Sequence, residues 1–320
     1  MELIRPTLLH RGGTIGVISP ASSPNAIALS RGIKLLESKG FRVELGPVSK
    51  RLHGGGMLSA PDEDRANEIS WAFSDAGIDA IISSGGGYGT MRVLDSLDFA
   101  EISKHPKIIV GYSDLTALLN SITKFTGLIT FHGPMVASDF GGSEASGYSI
   151  SELLHAITLP SPLGLVPIPE EAPPVVTVLE GKAQGRLAGG NLTLITRLMG
   201  TKYQIDFADK IALIEDVGED PYRIDGMLTQ LLMSGCLEKC NGIVFSTCVD
   251  CPPEERLGRT INKITVESVV KERLEKLGKP AIYNFPAGHT LHKPTLPLGA
   301  ACELDATSRT LRITEPAVKS

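Results

Sequence analysis

The chain has 320 residues, 42% of them apolar, with a formal net charge of −5. That length and apolar content support a large buried core and two domains. The acidic balance leaves no electrostatic footprint for nucleic acid or an anionic membrane surface, and no apolar run approaches the roughly 20 residues of a membrane-spanning helix.

The N-terminus, Met-Glu-Leu-Ile-Arg-Pro, has no basic segment leading into an apolar one, so no signal peptide is expected. Thr14-Ile-Gly-Val-Ile18 reads as a buried strand, and Asn25–Lys39 as an amphipathic helix ended by Gly40. Phe41–Leu45 is a second strand, and Asp62–Phe73 a helix opening after Pro61. Ile78–Ile82 is a third strand, running into Gly85-Gly-Gly-Tyr-Gly89 and then a helix through Met91, Val93 and Leu94. Ile108–Val110 is a fourth, passing through Gly111 into a helix that begins near Asp114. This βαβα order of buried-type strands predicts a doubly wound parallel sheet over residues 1–152.

Six prolines between Leu153 and Pro174 break the periodic texture, so 153–177 reads as an interdomain linker. Residues 178–320 read as a smaller α+β domain. Its strands are Ile211–Ile214, Ile243–Phe245 and Ala281–Tyr283, and its helices lie near Arg223–Ser234 and Val266–Leu277.

The five cysteines are an odd number and all follow residue 235, which argues against a disulfide framework and for a reducing compartment. Cys236, Cys240, Cys248 and Cys251 invite a zinc reading. The apolar strand Gly242–Thr247 between them would hold Cys240 and Cys248 roughly 20 Å apart at ~3.3 Å per residue, too far for one tetrahedral ion. They read as ordinary thiols, with no metal and no cofactor expected.

Candidate chemistry lies at strand ends, where open α/β sheets bind ligands. Ser113 sits at a strand-to-helix corner, where backbone N–H groups of the new helix offer an anion site. It is read either as an exposed nucleophile or as a helix N-cap. The glycine loop, with Gly86 and Gly87, is either a phosphate cradle or a place of close backbone approach; it lacks the Lys-Ser/Thr of a P-loop and the Gly-x-Gly-x-x-Gly spacing. Glu215 ends a strand in an acidic stretch, as an orienting carboxylate or part of a solvated turn. Of the seven histidines, His289 and His132 lie just past apolar strands. Ser113, Glu215 and His289 together give the order nucleophile, carboxylate, base.

The motifs carrying this pattern resemble the serine LD-carboxypeptidases of the murein tetrapeptide carboxypeptidase type. They are Gly86-Gly-Tyr-Gly89, Pro106-Lys-Ile-Ile-Val-Gly-Tyr-Ser-Asp-Leu-Thr-Ala-Leu118, His132-Gly-Pro-Met135, Gly189-Gly-Asn-Leu192, Glu215-Asp-Val-Gly-Glu-Asp-Pro-Tyr-Arg-Ile-Asp225, Gly288-His289 and Leu296-Pro-Leu-Gly299. The resemblance implies a flavodoxin-like N-terminal domain, a β-rich C-terminal domain and a Ser113–Glu215–His289 triad. It also implies oxyanion donors from Asp114 and the glycine loop (Gly86, Gly87), a homodimer, and a cytoplasmic role releasing D-Ala from muropeptides during peptidoglycan recycling. A related branch cleaves a peptide–nucleotide antibiotic and confers immunity to it; the Glu215–Arg223 motif looks more like the recycling branch. An α/β-hydrolase esterase fits less well, because Leu115 stands where Gly-x-Ser-x-Gly needs its second glycine. A non-enzymatic flavodoxin-like binding protein is the remaining reading. Two departures from the family pattern fall near the cleft: Gly85 replaces a frequent Arg, leaving the residue that holds the substrate's terminal carboxylate unassigned, and Lys293-Pro294 stands where Asn is frequent.

Overall fold

The computed structural model describes residues 2–51, 56–142, 145–252, 255–256, 259–260 and 264–320. It divides into two units: Met1–Pro162 with Lys293–Gly299 and Pro316–Ser320, and Leu163–His292 with Ala300–Glu315.

The first unit alternates strand and helix. It contains β1 (Thr14–Ile18), α1 (Ala26–Ser38), β2 (Arg42–Leu45), α2 (Asp62–Ser74), β3 (Ala80–Ser83), α3 (Thr90–Val93), α4 (Phe99–Lys104), β4 (Ile108–Gly111), α5 (Thr116–Thr126), β5 (Thr130–His132) and α6 (Gly147–Thr158). The strands β1, β3 and β4 are buried along their whole length, as expected for a parallel sheet covered on both faces. Local signals set the helix ends. The Asn25 side chain accepts from the Ile27 and Ala28 N–H groups, both at 3.0 Å, and so caps α1. Asp62, Glu63 and Asp64 place negative charge on the positive first turn of α2.

The second unit contains β6 (Pro162–Leu165), β7 (Val176–Leu179), β8 (Lys182–Asn191), α7 (Leu192–Arg197), β9 (Lys210–Glu215), α8 (Pro221–Met233), β10 (Gly242–Ser246), the short pair β11 (Glu255–Arg256) and β12 (Arg259–Thr260), α9 (Val266–Leu277) and β13 (Ala281–Phe285). The chain then returns to the first unit for β14 (Leu296–Leu298), and adds β15 (Ala301–Asp305) and β16 (Thr310–Pro316) to the second sheet.

The first sheet has the order β14-β5-β4-β3-β1-β2. Strands β1 to β5 run parallel, and only the edge strand β14 is antiparallel, on β5. Connections leave β1 toward β2 and leave β3 in the opposite direction, so the topological switch lies between these two strands. The Gly85–Gly89 loop follows β3 at that switch, and Ser113 follows the adjacent β4. The second sheet, β6-β16-β15-β8-β9-β10-β13-β7, has a parallel centre of β8, β9, β10 and β13. Antiparallel strands flank that centre, with β15 on β8 and β7 on β13. The carboxyl end of β9 is therefore central.

This division differs from a linker over 153–177. Leu153–Thr158 completes α6, whose Leu153, Ala156 and Ile157 are buried, and β6 and the start of β7 occupy other parts of the proline-rich stretch. Nor is the second unit continuous to residue 320. Leu296–Leu298 pairs with Thr130–His132, and Thr7 bridges Lys319. Long-range pairing of this kind has no local sequence signal, and Pro297 in β14 is tolerated because β14 is an edge strand.

In β8, Gly189 has φ +122°, and a Cβ there would lie 2.1 Å from the Leu213 carbonyl oxygen. Gly189→Ala should therefore lower unfolding stability by about 2–5 kcal/mol, combining a left-handed backbone with overpacking. Urea denaturation monitored by circular dichroism checks this; an unchanged midpoint would show that the strand pair relaxes freely.

Candidate active site

The β4–α5 corner is built around Ser113. Tyr112 is fully extended (φ −153°, ψ −167°), and Ser113 then takes φ 61°, in the left-handed region. Such a conformation costs a non-glycine residue about 1–3 kcal/mol and persists only where the surroundings impose it. The chain reverses through the single 3₁₀ turn Ser113–Leu115 before α5 starts at Thr116, two residues beyond the expected start. The N-cap positions of this turn and of α5 are Tyr112 and Leu115, and neither side chain makes a capping bond, so Ser113 stands in neither cap position. Gly111 permits the reversal: a Cβ there would lie 2.3 Å from the Leu115 side chain. The corner is thus a nucleophile-elbow geometry in which the buried Leu115 takes the place of the second glycine.

The glycine loop presses against this corner. A Cβ on Gly86 would lie 3.0 Å from Ser113 Cβ, 3.2 Å from its Oγ and 3.6 Å from the Asp114 nitrogen. Close backbone approach, rather than a phosphate cradle, accounts for the glycine. The buried Asp114 carboxylate accepts from the Thr90 N–H at 2.7 Å, and the Thr90 hydroxyl donates to the Asp114 carbonyl. Burial pushes the Asp114 carboxyl up, against the pull of these bonds. Arg65, fully buried, donates to the carbonyls of Gly89 (2.9 Å), Pro20 (2.5 Å) and Ala60 (3.1 Å), and pairs with Asp62. Gly85 is also buried, and a Cβ there would stand 3.0 Å from Ser138 Oγ.

Glu215 and His289 meet in the second unit. Glu215 ends β9 and is fully buried, and its Oε2 lies 2.7 Å from His289 Nδ1. A carboxylate can only accept, so Nδ1 carries the hydrogen, and in the neutral ring Nε2 is the unprotonated nitrogen. Gly288 makes room: it has φ +74°, and a Cβ there would fall 2.3 Å from Glu215 Oε2. The adjacent Asp216 is held separately. It accepts from Asn191 Nδ2, the Thr193 N–H and hydroxyl, and the Val217 N–H, all between 2.9 and 3.0 Å. Burial pushes its carboxyl up, and the charge of Glu215 adds to that push. Glu215 is therefore a buried strand-end acceptor and no part of a solvated turn.

His132, the other strand-end histidine, is buried opposite Gly111, its ring 5.9 Å from that of Tyr112. Lys293 does not line an open cleft. It is buried and ion-paired with Asp139. The single-sequence reading missed Arg65, Asp139 and the Asn191–Asp216 pair, because a partner far along the chain leaves no local trace. The motif context of Asn191 was the one available clue.

A strained strand-end serine against a glycine loop, with a histidine–carboxylate pair on a second sheet, defines a hydrolase-type α/β architecture. Two family models match the chain: the LD-carboxypeptidase N-terminal domain over residues 15–133 and the LD-carboxypeptidase C-terminal domain over 184–304. The chain is 36% identical to the probable murein peptide carboxypeptidase of Bacillus subtilis, covering 96% of this chain and 93% of the relative. The ligand-free microcin C7 self-immunity protein MccF superposes with a TM-score of 0.89 at 26% identity, covering 99% of this chain and all of that one. A muramoyltetrapeptide carboxypeptidase from Oxalobacter formigenes gives 0.80 at 31% identity, covering 94% and 99%. The chain belongs to the LD-carboxypeptidase family, with the α/β fold of these neighbours.

Gly288→Ala would drive a methyl group into the Glu215 carboxylate. The downfield proton resonance of His289 Nδ1–H should be present in the wild type and absent from this variant by NMR. Its survival would mean that the loop can shift without breaking the bond.

Proposed function

We propose that the protein is a serine LD-carboxypeptidase that releases the C-terminal D-amino acid, D-Ala, from murein tetrapeptides, with Ser113, His289 and Glu215 as its triad. The observation that carries this reading is the strained Ser113 corner with Gly86 packed against it, a geometry that a helix cap or a core serine does not need. The Glu215–His289 hydrogen bond supports it independently. Ser113 Oγ attacks the carbonyl of the L-centre while His289 Nε2 takes its proton. The oxyanion is held by the backbone N–H of Asp114 together with the Gly86–Gly87 loop, whose proximity to Ser113 favours such donors. His289 then returns the proton to the departing D-amino acid, and water repeats the cycle on the acyl-enzyme. Glu215 holds the tautomer and stabilises the imidazolium.

The murein substrate rests on the similarity to the Bacillus probable murein peptide carboxypeptidase and the Oxalobacter muramoyltetrapeptide carboxypeptidase. Cytoplasmic recycling and a homodimer belong to the same reading. The fold similarity to MccF favours a second substrate, a peptide–nucleotide antibiotic, for the same machinery. Side-by-side assays on an L,D-tetrapeptide and on an aminoacyl sulfamoyl nucleoside separate the two branches.

Ser113→Ala should fold normally and lose at least about 10⁴-fold in kcat, and Glu215→Gln should lose a comparable factor through the wrong tautomer. Mass spectrometry of a tetrapeptide digest, following loss of a single D-Ala, measures both. Undiminished release by Ser113→Ala would remove the triad assignment.

A further inference from the structure

A lysine is seldom fully buried, because its ammonium loses hydration and its long stem loses rotamer freedom. Lys293 is nevertheless only 3% exposed. Its Nζ pairs with Asp139 and lies 5.0 Å from the centroid of the Tyr112 ring. Asp139 also accepts from the Tyr112 hydroxyl at 3.2 Å and from the Met135 N–H at 2.8 Å, and the Lys293 N–H donates to Ser149 Oγ at 2.9 Å. Tyr112 is the residue immediately before Ser113. The ion pair, the ring and two backbone segments thus converge on the extended residue that sets the entry to the strained corner.

We propose that the Lys293–Asp139 pair is a positioning device for catalysis, holding Tyr112 and so the adjoining Ser113 corner. The proposal rests on the triad reading given above. A buried ion pair is weak evidence for stability, since apolar replacement is often neutral. What it does impose is direction: Asp139 has three donors to satisfy at set angles, and the ammonium can sit only where the carboxylate and the ring both reach it.

Removing one partner leaves an orphan charge, so the test uses the double variant Lys293→Gln/Asp139→Asn, which is neutral and keeps hydrogen-bonding capacity. Thermal melting establishes folding. The chemical readout is the rate at which a fluorophosphonate modifies Ser113, located by mass spectrometry, alongside kcat and KM on the tetrapeptide. A misplaced nucleophile should slow labelling and lower kcat by roughly 10- to 100-fold, with KM within about twofold because ground-state binding is spared. Lys293→Arg, which keeps the charge, should recover part of that loss. Should the double variant fail to melt cooperatively, Tyr112→Phe carries the same expectation with a smaller loss, since it removes the hydroxyl that donates to Asp139 and leaves the ion pair whole.

A folded variant that labels and turns over like the wild type would overturn the proposal, as would a rise in KM alone. A wild type that is labelled at Ser113 but releases no D-Ala would overturn only the substrate assignment, leaving the labelling rates to judge the anchor. Absence of labelling in the wild type would sink the nucleophile assignment and the anchor with it.

Discussion

Ser113 is held at φ 61° in a corner that only its neighbours make possible. The strain is local, but what sustains it is not. Gly111 lets Leu115 fold back across the strand, Gly86 brings the loop from β3 to within contact of the serine, and Asp114 ties that loop's far end through Thr90. A side chain at Gly86 would crowd the serine itself, and one at Gly111 would meet Leu115. The α/β sheet supplies the frame, since adjacent parallel strands β3 and β4 bring their two loops to the same edge beside the switch point.

The second unit repeats this logic with different atoms. Gly288 is left-handed, and a side chain on it would overlap Glu215, so the glycine is what allows His289 to reach a carboxylate ending a different strand. Glu215 and Asp216 are consecutive buried carboxylates with separate partners. Asp216 collects four donors that fix the end of β8 and the start of α7, leaving Glu215 to the histidine. Two like charges this close are tolerable because one is fully engaged in structure. In the first unit, the fully buried Arg65 plays the corresponding part, drawing three carbonyls around the loop that lies against Ser113.

Much of this was legible from residue order. The helix Val266–Leu277 and the strands Thr14–Ile18 and Ile211–Ile214 follow from periodicity and from punctuation by capping residues and glycine. Ser113, Glu215 and His289 were picked out because each follows an apolar strand, where a sheet presents its ligand edge. Strands β15 and β16 and the return of Leu296–Leu298 to the first sheet were not legible. Their partners lie far away along the chain, and alternation over three to seven residues is too short to separate strand from loop. The proline-rich stretch misled for a related reason. Proline marks the absence of regular hydrogen bonding by its own N–H, yet it does not stop neighbouring residues from ending a helix or joining a sheet edge.

What the sequence determined by itself was membership of the LD-carboxypeptidase family, together with a serine, a carboxylate and a histidine in motifs that place each at or just past a strand end. The tertiary structure decided the roles that depend on what touches what. It made Ser113 a strained corner rather than a cap, Glu215 the buried partner of His289 rather than part of a solvated turn, and Lys293 a buried cation bound to Asp139. The physical reason is the same in each case. Strain, burial and ion pairing are properties of residues brought together from 27 to 154 positions apart, and a one-dimensional pattern records only what lies within a few turns of the backbone.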